Sequence, residues 1–472
     1  MLTVGTVARI EGADATVLPL AEDGAIPDNL RAAADAAGFR GGAGTSCEAL
    51  TTEGRVVLVG LGAAGDVEGA GSHTASTLSG YARIALDARG LTAERAARFA
   101  AACCLRAWRP AAIRKAEDAD APRLAALDIL LDGSAEFAGV WTPLEAAVRA
   151  TLWARDMVTL PANVLTPASF ATRLEDIAAL GVKLKVLDTR DLRRKGFGAL
   201  LAVGQGSANP PCLAVLRWRG TIEAPPVAFV GKGITFDTGG IGIKPANRMW
   251  EMRADMAGAA AAAGAIMALA LRRSPAPAVA VLPLAENATG GASYRPGDVL
   301  RTLSGRTVEV VDTDAEGRLV LADAIHHAIA RYKPQAVIDL ATLTGAIVTA
   351  LGHHRAGLFD NDAALAAHVA AAGASVGEDV WRMPIADAHR EDINSDIADL
   401  RNCLTGRMLP DACHAAAFLR EFAGDTPWAH LDIAGVESRE EADGLMPKGA
   451  TGFGVRLLDR LVAQRFEGPH RA

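Results

Sequence analysis

Seven charged side chains, gathered in two glycine-rich segments, are the part of this chain best suited to chemistry. The segments GKGITFDTGGIGIKPANRMWEMRAD (231–255) and DTDAEGR (312–318) contain the acids Asp237, Asp255, Asp314 and Glu316 and the bases Lys232, Lys244 and Arg318. The surrounding sequence is apolar and rich in alanine and glycine, and charges are costly to bury there unless something pairs them. A pair of divalent cations would pair the acids and would make the site a catalyst.

The acids fit this interpretation by type and by spacing. Carboxylates are hard oxygen ligands, and four of them close together repel one another strongly unless cations lie between them. If the chain is extended here, Asp314 and Glu316 point to the same side, because side chains alternate along a strand. Two divalent ions that share bridging carboxylates, about 3.5–4 Å apart, suit such a set. Each residue alone also fits an ordinary loop salt bridge, but the whole set in glycine loops after apolar strands does not.

The three bases suggest different tasks. Lysine binds a metal only when it is neutral, and a dication in a water-poor site would lower the pKa of Lys232 far enough for that. Lys244 could stabilise an oxyanion that forms on a substrate carbonyl. Arg318 could hold an anion that serves as a base, or it could orient the attacking water.

Apolar strands are expected to carry these residues to one edge of a sheet. The runs Val227–Val230 and Thr307–Val311 are typical of buried strands, and Lys232 and Asp312 come soon after them. Functional groups of α/β sheets collect at the carboxyl ends of the strands. Near-continuous apolar strands that alternate with helices, two of them expected at 253–271 and 319–331, indicate a mixed, mostly parallel sheet flanked by helices.

The length of 472 residues is too great for one ordinary core. We expect an α/β protein of two domains: a small N-terminal α/β domain over 1–140, a linker helix over 141–160 and a larger catalytic domain over 161–472. The sequence PLEAAVRATLWARDMV, which begins at Pro143, predicts the linker helix. Its apolar residues recur at helical spacing, and proline suits a first turn.

Composition excludes several classes of protein. Half of the residues are hydrophobic, 22% are charged and the net charge is -7, which describes a compact globule without a general attraction to nucleic acid or anionic lipid. The first residues lack the pattern of a signal peptide, and the longest apolar run, Ala257–Leu271, is too short to span a bilayer. The six cysteines have no CxxC spacing and fit free thiols in a reducing compartment. We therefore expect a cytoplasmic protein without a membrane partner.

Other motifs are weaker. Residues 60–65 fit GxGxxG after a strand, but the sequence that follows predicts a poor helix start, which disfavours a dinucleotide site. The histidine pairs at 326–327 and 353–354 lack the spacing of a histidine zinc site. The pattern GxSxG occurs once, as GASVG (373–377), but an alanine-rich stretch and not an apolar strand leads into it, so it does not predict the nucleophile elbow of a serine hydrolase.

The two charged segments resemble the signature regions of the M17 leucyl aminopeptidases, a family of cytosolic dinuclear-metal exopeptidases. Further segments resemble family blocks in the same order: ARDMVTLPANVLTP (154–167), GFGALLAVGQGS (196–207), YRPGDVL (294–300), LATLTGA (340–346), IADLRN (397–402), WAHLDIAG (428–435) and KGATGFGVRLL (448–458). The resemblance covers residues 150–460 and is loose over 1–140, where the family's N-terminal domain varies.

The resemblance implies a role for each residue of the cluster. Lys232, Asp237, Asp255 and Glu316 would hold one metal ion, and Asp237, Asp314 and Glu316 the other. A metal-bridging hydroxide would attack the scissile carbonyl, Lys244 would stabilise the resulting gem-diolate, and Arg318 would bind a bicarbonate ion that moves the proton. Thr342, Leu343 and Gly345 would line the substrate cleft, with Met252 at the pocket for the N-terminal side chain.

The resemblance also implies cofactors and partners. Each subunit would bind two divalent ions, manganese or zinc with magnesium as a further option, and six subunits would form a homohexamer. The substrates would be peptides with an N-terminal leucine or another apolar residue. Two alternatives stay open: an additional DNA-binding regulatory role as a hexamer, which no basic stripe in the N-terminal domain favours, and hydrolysis of another bond such as a phosphoester.

Three departures from the family pattern stand out. Asp312 occupies a position where the family usually has asparagine, which adds a carboxylate near the metals. The segments ENATGG (286–291) and RMLPDACHAAAF (407–418) also differ from the usual pattern. None of these changes removes an expected metal ligand, but the last two bear on the range of substrates.

Overall fold

The computed structural model describes residues 1–110, 123–404 and 412–468. Residues 407–411 of the third departing segment lie outside the described part. The chain divides into two compact units. The N-terminal unit comprises Met1–Leu152 and Arg439–Gly449, and the C-terminal unit comprises Trp153–Ser438 and Ala450–Ala472.

The N-terminal unit is built around a six-stranded sheet of order β1-β6-β5-β2-β4-β3. Its elements are β1 (Thr3–Val7), β2 (Ala15–Leu20), α1 (Asp28–Ala36), β3 (Ser46–Thr51), β4 (Gly54–Gly60), α2 (Val67–Thr77), β5 (Arg83–Asp87), α3 (Ala93–Ala107), β6 (Ala126–Leu130) and the first part of α4 (Ser134–Thr159). All strand pairs are parallel except the hairpin of β3 and β4. The poor helix start expected after residue 65 is wrong, because the side chain of Asp66 caps α2 by accepting the N–H of Gly69 at 2.9 Å.

The helix α4 begins earlier than its sequence pattern predicts. It starts at Ser134 and contains Pro143 in its interior, whereas the linker helix was expected to begin at 141 with this proline in the first turn. Phe137 and Trp141 are buried, and their rings stack with centroids 6.0 Å apart. This packing of the earlier turns offsets the hydrogen bond that proline removes from a helix interior.

The C-terminal unit contains the larger sheet and most of the helices. Up to the third quarter of the chain its elements are α5 (Pro167–Arg173), α6 (Glu175–Ala178), β7 (Lys183–Leu187), α7 (Thr189–Lys195), α8 (Gly198–Gly204), β8 (Cys212–Trp218), β9 (Val227–Gly231), β10 (Gly233–Asp237), α9 (Ala257–Leu271), β11 (Ala278–Asn287), β12 (Val299–Arg301), β13 (Thr307–Glu309), α10 (Glu316–Tyr332) and β14 (Ala336–Ala341). The remaining elements are α11 (Gly345–Leu351), β15 (Ala356–Asp360), α12 (Ala363–Ser375), β16 (Val380–Arg382), α13 (Asp387–Asp392), β17 (Leu400–Arg401), α14 (Ala412–Ala423), β18 (Trp428–Asp432), the short pair β19 (Ser438–Arg439) and β20 (Gly449–Ala450), and α15 (Val455–Arg465).

The nine-stranded sheet of this unit has the order β16-β15-β18-β14-β9-β11-β8-β7, with β10 paired to β11. The central strands β18, β14, β9 and β11 are parallel to one another, whereas the pairs β15–β18, β11–β8 and β7–β8 are antiparallel. Every residue of β9, β14 and β18 is buried, as expected for a sheet covered on both faces. The predicted mixed, mostly parallel sheet flanked by helices is confirmed.

The alanine-rich helix α9 packs very closely against the sheet. A Cβ atom added to Gly258 would lie 2.1 Å from the carbonyl oxygen of Leu340 in β14, so only glycine allows this approach. Among the described residues, the helical stretch Met249–Leu271 has the length and hydropathy of a membrane span, but 89% of its apolar window is buried inside the protein. It is a core helix.

Two helix starts differ from the predictions, and both lie at the charged cluster. The expected helix over 253–271 is a 3-10 helix, Met249–Ala254, followed by α9, with Asp255 between them. The chain is not extended from 312 to 316: β13 ends at Glu309, and Glu316 is the first residue of α10. The side chain of Asp312 accepts the N–H of Asp314 at 2.9 Å, and this local turn ends the extended conformation.

Candidate metal centre

The carboxyl ends of adjacent strands bring the charged residues together. Lys232 follows β9, and Thr342 follows β14, the parallel neighbour of β9. The ammonium of Lys232 donates to the carbonyl oxygen of Thr342 at 2.8 Å. Asp237 is the last residue of β10, which pairs with β11. The sheet therefore delivers these residues to one edge, as the apolar runs of the sequence predict.

Three buried carboxylates converge at this edge. One oxygen each from Asp237, Asp255 and Glu316 lies within 4.8 Å of the other two. Within the described part of the chain, Oδ2 of Asp255 and Oε2 of Glu316 are buried without a hydrogen-bond or ion-pair partner. Hard oxygen atoms that converge without donors form the ligand set that a divalent cation requires. The residues present therefore fit a divalent metal ion.

Lys232 is the cation that faces these carboxylates. Its Nζ lies 2.7 Å from Oδ1 of Asp255 and 2.9 Å from Oε1 of Glu316, and its side chain is only 4% exposed. Burial opposes the charge of the ammonium, but Asp255 and Glu316 outweigh it and raise the pKa of Lys232 above its usual range. To serve as a metal ligand, Lys232 must give up this proton when the ion binds.

The segment after Glu316 is shaped around this lysine. A Cβ atom added to Gly317 would lie 2.7 Å from Cε and 2.8 Å from Nζ of Lys232. Real Cβ atoms do not approach so closely, so glycine at 317 leaves the space that the lysine occupies.

Asp314 lies beside the cluster of three converging carboxylates rather than within it. Of the described residues, the group whose oxygens converge contains Asp237, Asp255 and Glu316 but not Asp314. Asp314 instead forms an ion pair with Lys244, whose Nζ is also 2.8 Å from Oδ2 of Asp237. Burial and the neighbouring acids raise the pKa of Asp314 to about 7. Asp237 and Asp314 thus share one lysine, which places all four predicted acids around one site.

Lys244 keeps its charge in this position. Its side chain is 21% exposed, and although burial opposes the ammonium, the carboxylates, Asp237 first, raise the pKa of Lys244 above its usual range. A permanently charged ammonium beside the carboxylates can stabilise negative charge that develops on a bound group.

Arg318 is buried in the first turn of α10. Its Nη1 donates to the carbonyl oxygen of Asn402 at 2.8 Å, whereas its Nε has no hydrogen-bond partner among the described residues. Burial lowers the pKa of Arg318, although a guanidinium stays charged in proteins. A buried N–H without an acceptor is costly, so this guanidinium is suited to an anion.

The four predicted substrate-binding residues lie close to the carboxylates in sequence or by contact. Met252 is half-buried in the 3-10 helix that precedes Asp255. Thr342 and Leu343 follow β14, and Gly345 begins α11. The hydroxyl of Thr342 donates to Oδ1 of Asp255 at 2.7 Å. The segment 342–345 therefore borders the site.

Several residues of the site escaped prediction because they carry no charge. The amide of Asn287 donates to Oδ1 of Asp237 at 2.8 Å and to the carbonyl oxygen of Thr313 at 3.0 Å. The hydroxyl of Tyr294 donates to the same carbonyl at 2.7 Å. Asn402 binds the segment that carries Asp314. The only signal in the sequence is a polar amide at the end of an apolar strand, as at Asn287.

Comparison with known proteins gives consistent relatives. Residues 152–459 match the model of the cytosol aminopeptidase family, catalytic domain. A "Probable cytosol aminopeptidase" of Caulobacter vibrioides is 42% identical over 97% of this chain and 98% of its own length. One of the same name from Methylobacterium radiotolerans is 45% identical over 88% of this chain and 84% of its own length.

Two solved structures of proteins with similar sequences have a similar fold. The cytosol aminopeptidase of Coxiella burnetii has 32% sequence identity and a TM-score of 0.86, with 98% of this chain and 99% of that chain covered. The bottromycin maturation enzyme BotP in complex with Mn has 34% identity and a TM-score of 0.86, with 96% and 99% covered.

Proposed function

The chain belongs to the cytosol aminopeptidase family of metal-dependent aminopeptidases, and we propose that it removes leucine or another apolar residue from the N-terminus of peptides. The convergence of three buried carboxylates, two of which (Asp255 and Glu316) keep an oxygen without a hydrogen-bond partner in the described part of the chain, carries this proposal. We propose in addition that the enzyme acts in the cytoplasm as a homohexamer.

We assign two divalent ions to the site, manganese or zinc with magnesium as a further option. Lys232, Asp237, Asp255 and Glu316 would hold one ion, and Asp237, Asp314 and Glu316 the other. When bound, the ions would polarise the scissile carbonyl and lower the pKa of water. The similar solved structure of BotP, which contains Mn, supports the choice of a divalent metal.

The remaining charged groups would act on the substrate and its protons. The ammonium of Lys244 lies beside Asp237 and Asp314. It would stabilise the negative charge that develops on the carbonyl oxygen as the carbonyl carbon becomes tetrahedral. Arg318, with a buried Nε that lacks a hydrogen-bond partner in the described part of the chain, would bind bicarbonate, which would accept and return the proton.

The segment around Thr342 would position the peptide. Thr342, Leu343 and Gly345 would line the cleft, and Met252 would contact the N-terminal side chain. The hydrogen bond from Thr342 to Asp255 supports this assignment, because it joins the cleft to an expected metal ligand.

Hydrolysis of a leucine arylamide tests the proposal. Chelation should abolish turnover, and Mn²⁺ or Zn²⁺ should restore it. Asp314→Ala and Glu316→Ala should be inactive but folded, whereas Asp396→Ala, which removes an exposed acid paired only with Arg401 among the ion pairs of the described residues, should match the wild type. Unchanged turnover in either site variant would refute the assignment.

A panel of aminoacyl and phosphoryl substrates addresses specificity. We expect turnover of leucine-like aminoacyl substrates and none of phosphoesters. A preference for charged N-terminal residues would contradict the apolar specificity and leave the peptidase assignment intact.

A further inference from the structure

We propose that Asn402 is a positioning residue of the metal centre. Its side chain and its main-chain carbonyl hold the segment 311–318, which carries Asp314, Glu316 and Arg318, in one conformation. This inference rests on the proposed function, because it concerns residues that we assign to the metals and to bicarbonate.

The carboxamide of Asn402 binds main-chain groups of the turn that carries Asp314, both before and after that residue in the chain. Its Oδ1 accepts the N–H of Val311 at 2.7 Å and that of Asp312 at 3.3 Å. Its Nδ2 donates to the carbonyl oxygen of Asp312 at 2.6 Å and to that of Ala315 at 3.4 Å. These bonds enclose Asp314 in the sequence and end directly before Glu316.

The same residue also fixes the guanidinium. The main-chain carbonyl of Asn402 accepts Nη1 of Arg318 at 2.8 Å, and its N–H donates to the carbonyl oxygen of Glu309 at 3.0 Å. Asn402 follows β17, which pairs with β13. One residue therefore couples the turn that carries the ligands, the buried arginine and the strand that precedes the turn.

The chemistry of the position requires an amide. Asn402 is fully buried, so water cannot replace a lost partner. Aspartate has the same shape but no N–H donors, and it would place a carboxylate against the carbonyls of Asp312 and Ala315. A turn whose carbonyls are repelled is no longer held in the conformation that presents Asp314.

The position of Asn361 offers a matched control. Its Nδ2 donates to the carbonyl oxygens of Gly424 and Thr426 at 3.0 and 2.9 Å, and its Oδ1 accepts the N–H of Trp428 at 2.7 Å. It makes the same kinds of bond but at the amino end of β18, whereas the metal centre lies at the carboxyl ends of the strands.

The test compares Asn402→Asp, Asn402→Ala and Asn361→Asp with the wild type. Calorimetry would measure Mn²⁺ binding to the metal-depleted proteins, kinetics would give kcat and KM for a leucine arylamide, and melting would report folding. We expect both Asn402 variants to bind Mn²⁺ about 10–100-fold more weakly and to lose kcat by a similar factor, with a smaller change in KM. Asn361→Asp should lower the melting temperature only.

Three outcomes are decisive in different ways. Wild-type Mn²⁺ affinity and kcat in a folded Asn402 variant would overturn the inference. An equal loss in Asn361→Asp would overturn it as well, because the effect would then be general destabilisation. A wild type that binds no Mn²⁺ and hydrolyses no arylamide would instead refute the proposed function. Asn402→Ala introduces no buried charge and keeps the test valid if Asn402→Asp does not fold.

Discussion

Two groups of carboxylates are equally buried in the C-terminal unit, yet they differ in what surrounds their oxygen atoms. Asp323 and Asp339 are fully buried, and each uses both oxygens: Asp323 accepts the N–H groups of Leu200 and Leu303, and Asp339 contacts the rings of Trp428 and His430. Asp255 and Glu316 are 6% and 1% exposed and keep oxygens without hydrogen-bond partners among the described residues.

The difference shows which property marks a binding site. Burial alone does not separate the two groups, since donors of the fold occupy both oxygens of Asp323 and of Asp339, whereas Asp255 and Glu316 each keep an oxygen that no donor of the described residues reaches. Unused oxygens that converge with others of the same charge are unfavourable for the fold, and they are retained where a ligand completes them.

The largest effect is expected for Glu316→Gln. Glutamine keeps the shape but loses the charge of a proposed metal ligand, so turnover should fall by more than about a hundredfold, which exceeds the loss for residues that only support a ligand. The metal-depleted variant should melt at the same temperature as the metal-depleted wild type or higher, because burial and Asp237 raise the pKa of Glu316 in spite of its ion pair with Lys232, so that the charge is a net cost to the fold. Kinetics and calorimetric melting measure both. A marked loss of stability would place Glu316 in the structural group and break the comparison.

Asp339→Ala should show the opposite pattern. It leaves Trp428 and His430 without their acceptor, and the free energy of unfolding should fall by about 3 kcal/mol. The folded fraction should keep its kcat. Urea denaturation and active-site titration give the two numbers, and a variant with normal stability and a greatly reduced kcat would move Asp339 into the functional group.

Metal binding should stabilise only proteins with an intact cluster. Mn²⁺ at a hundred times its Kd should raise the unfolding free energy of the wild type by about 2.7 kcal/mol. Denaturation with and without Mn²⁺ should show this gain in Asp323→Asn and a much smaller gain in Asp255→Asn. An equal gain in both variants would mean that the ion binds elsewhere.

The smallest effect concerns pH. Burial raises the pKa of Asp323 to about 7, so the folded protein holds this proton where the unfolded chain has released it. The stability that protonated Asp323 contributes to the folded protein is fully present below the ordinary pKa of aspartate, and it is lost as the pH rises through about 7. From pH 4 to 8 the wild type should therefore lose at least about 1 kcal/mol relative to Asp323→Asn. If the unfolding free energies of the wild type and of Asp323→Asn, measured by denaturation, change equally with pH across this range, the raised pKa of Asp323 is contradicted.

The central strands of the fold could be read from the sequence, because near-continuous apolar runs such as Val227–Val230 have no other place than a covered sheet. The start of α10 could not, since the extended chain expected up to Glu316 is replaced by a turn in which the N–H of Asp314 donates to the side chain of Asp312. The early start of α4 depends on the stacking of Phe137 and Trp141, which a propensity argument does not contain.

The charged part of the site was predictable for a similar reason. Acids and bases that concentrate in apolar sequence are conspicuous, so Asp237 and Glu316 could be named in advance. Asn287 and Asn402 could not, because their amides carry no charge and their partners lie 50 and about 90 residues away along the chain. The order of the chain does not reveal which distant main-chain atoms an amide will meet.

The space that Gly317 leaves for Lys232 has a consequence for how this sequence can change. A side chain at 317 would enter the volume of the lysine, and a shorter residue at 232 would make room for it only by removing a proposed metal ligand. A directed-evolution library that randomises 317, alone or together with 232, should therefore return glycine at 317 and lysine at 232 in its active members. The residue at each position therefore restricts the residue at the other, although 85 positions separate them in the chain.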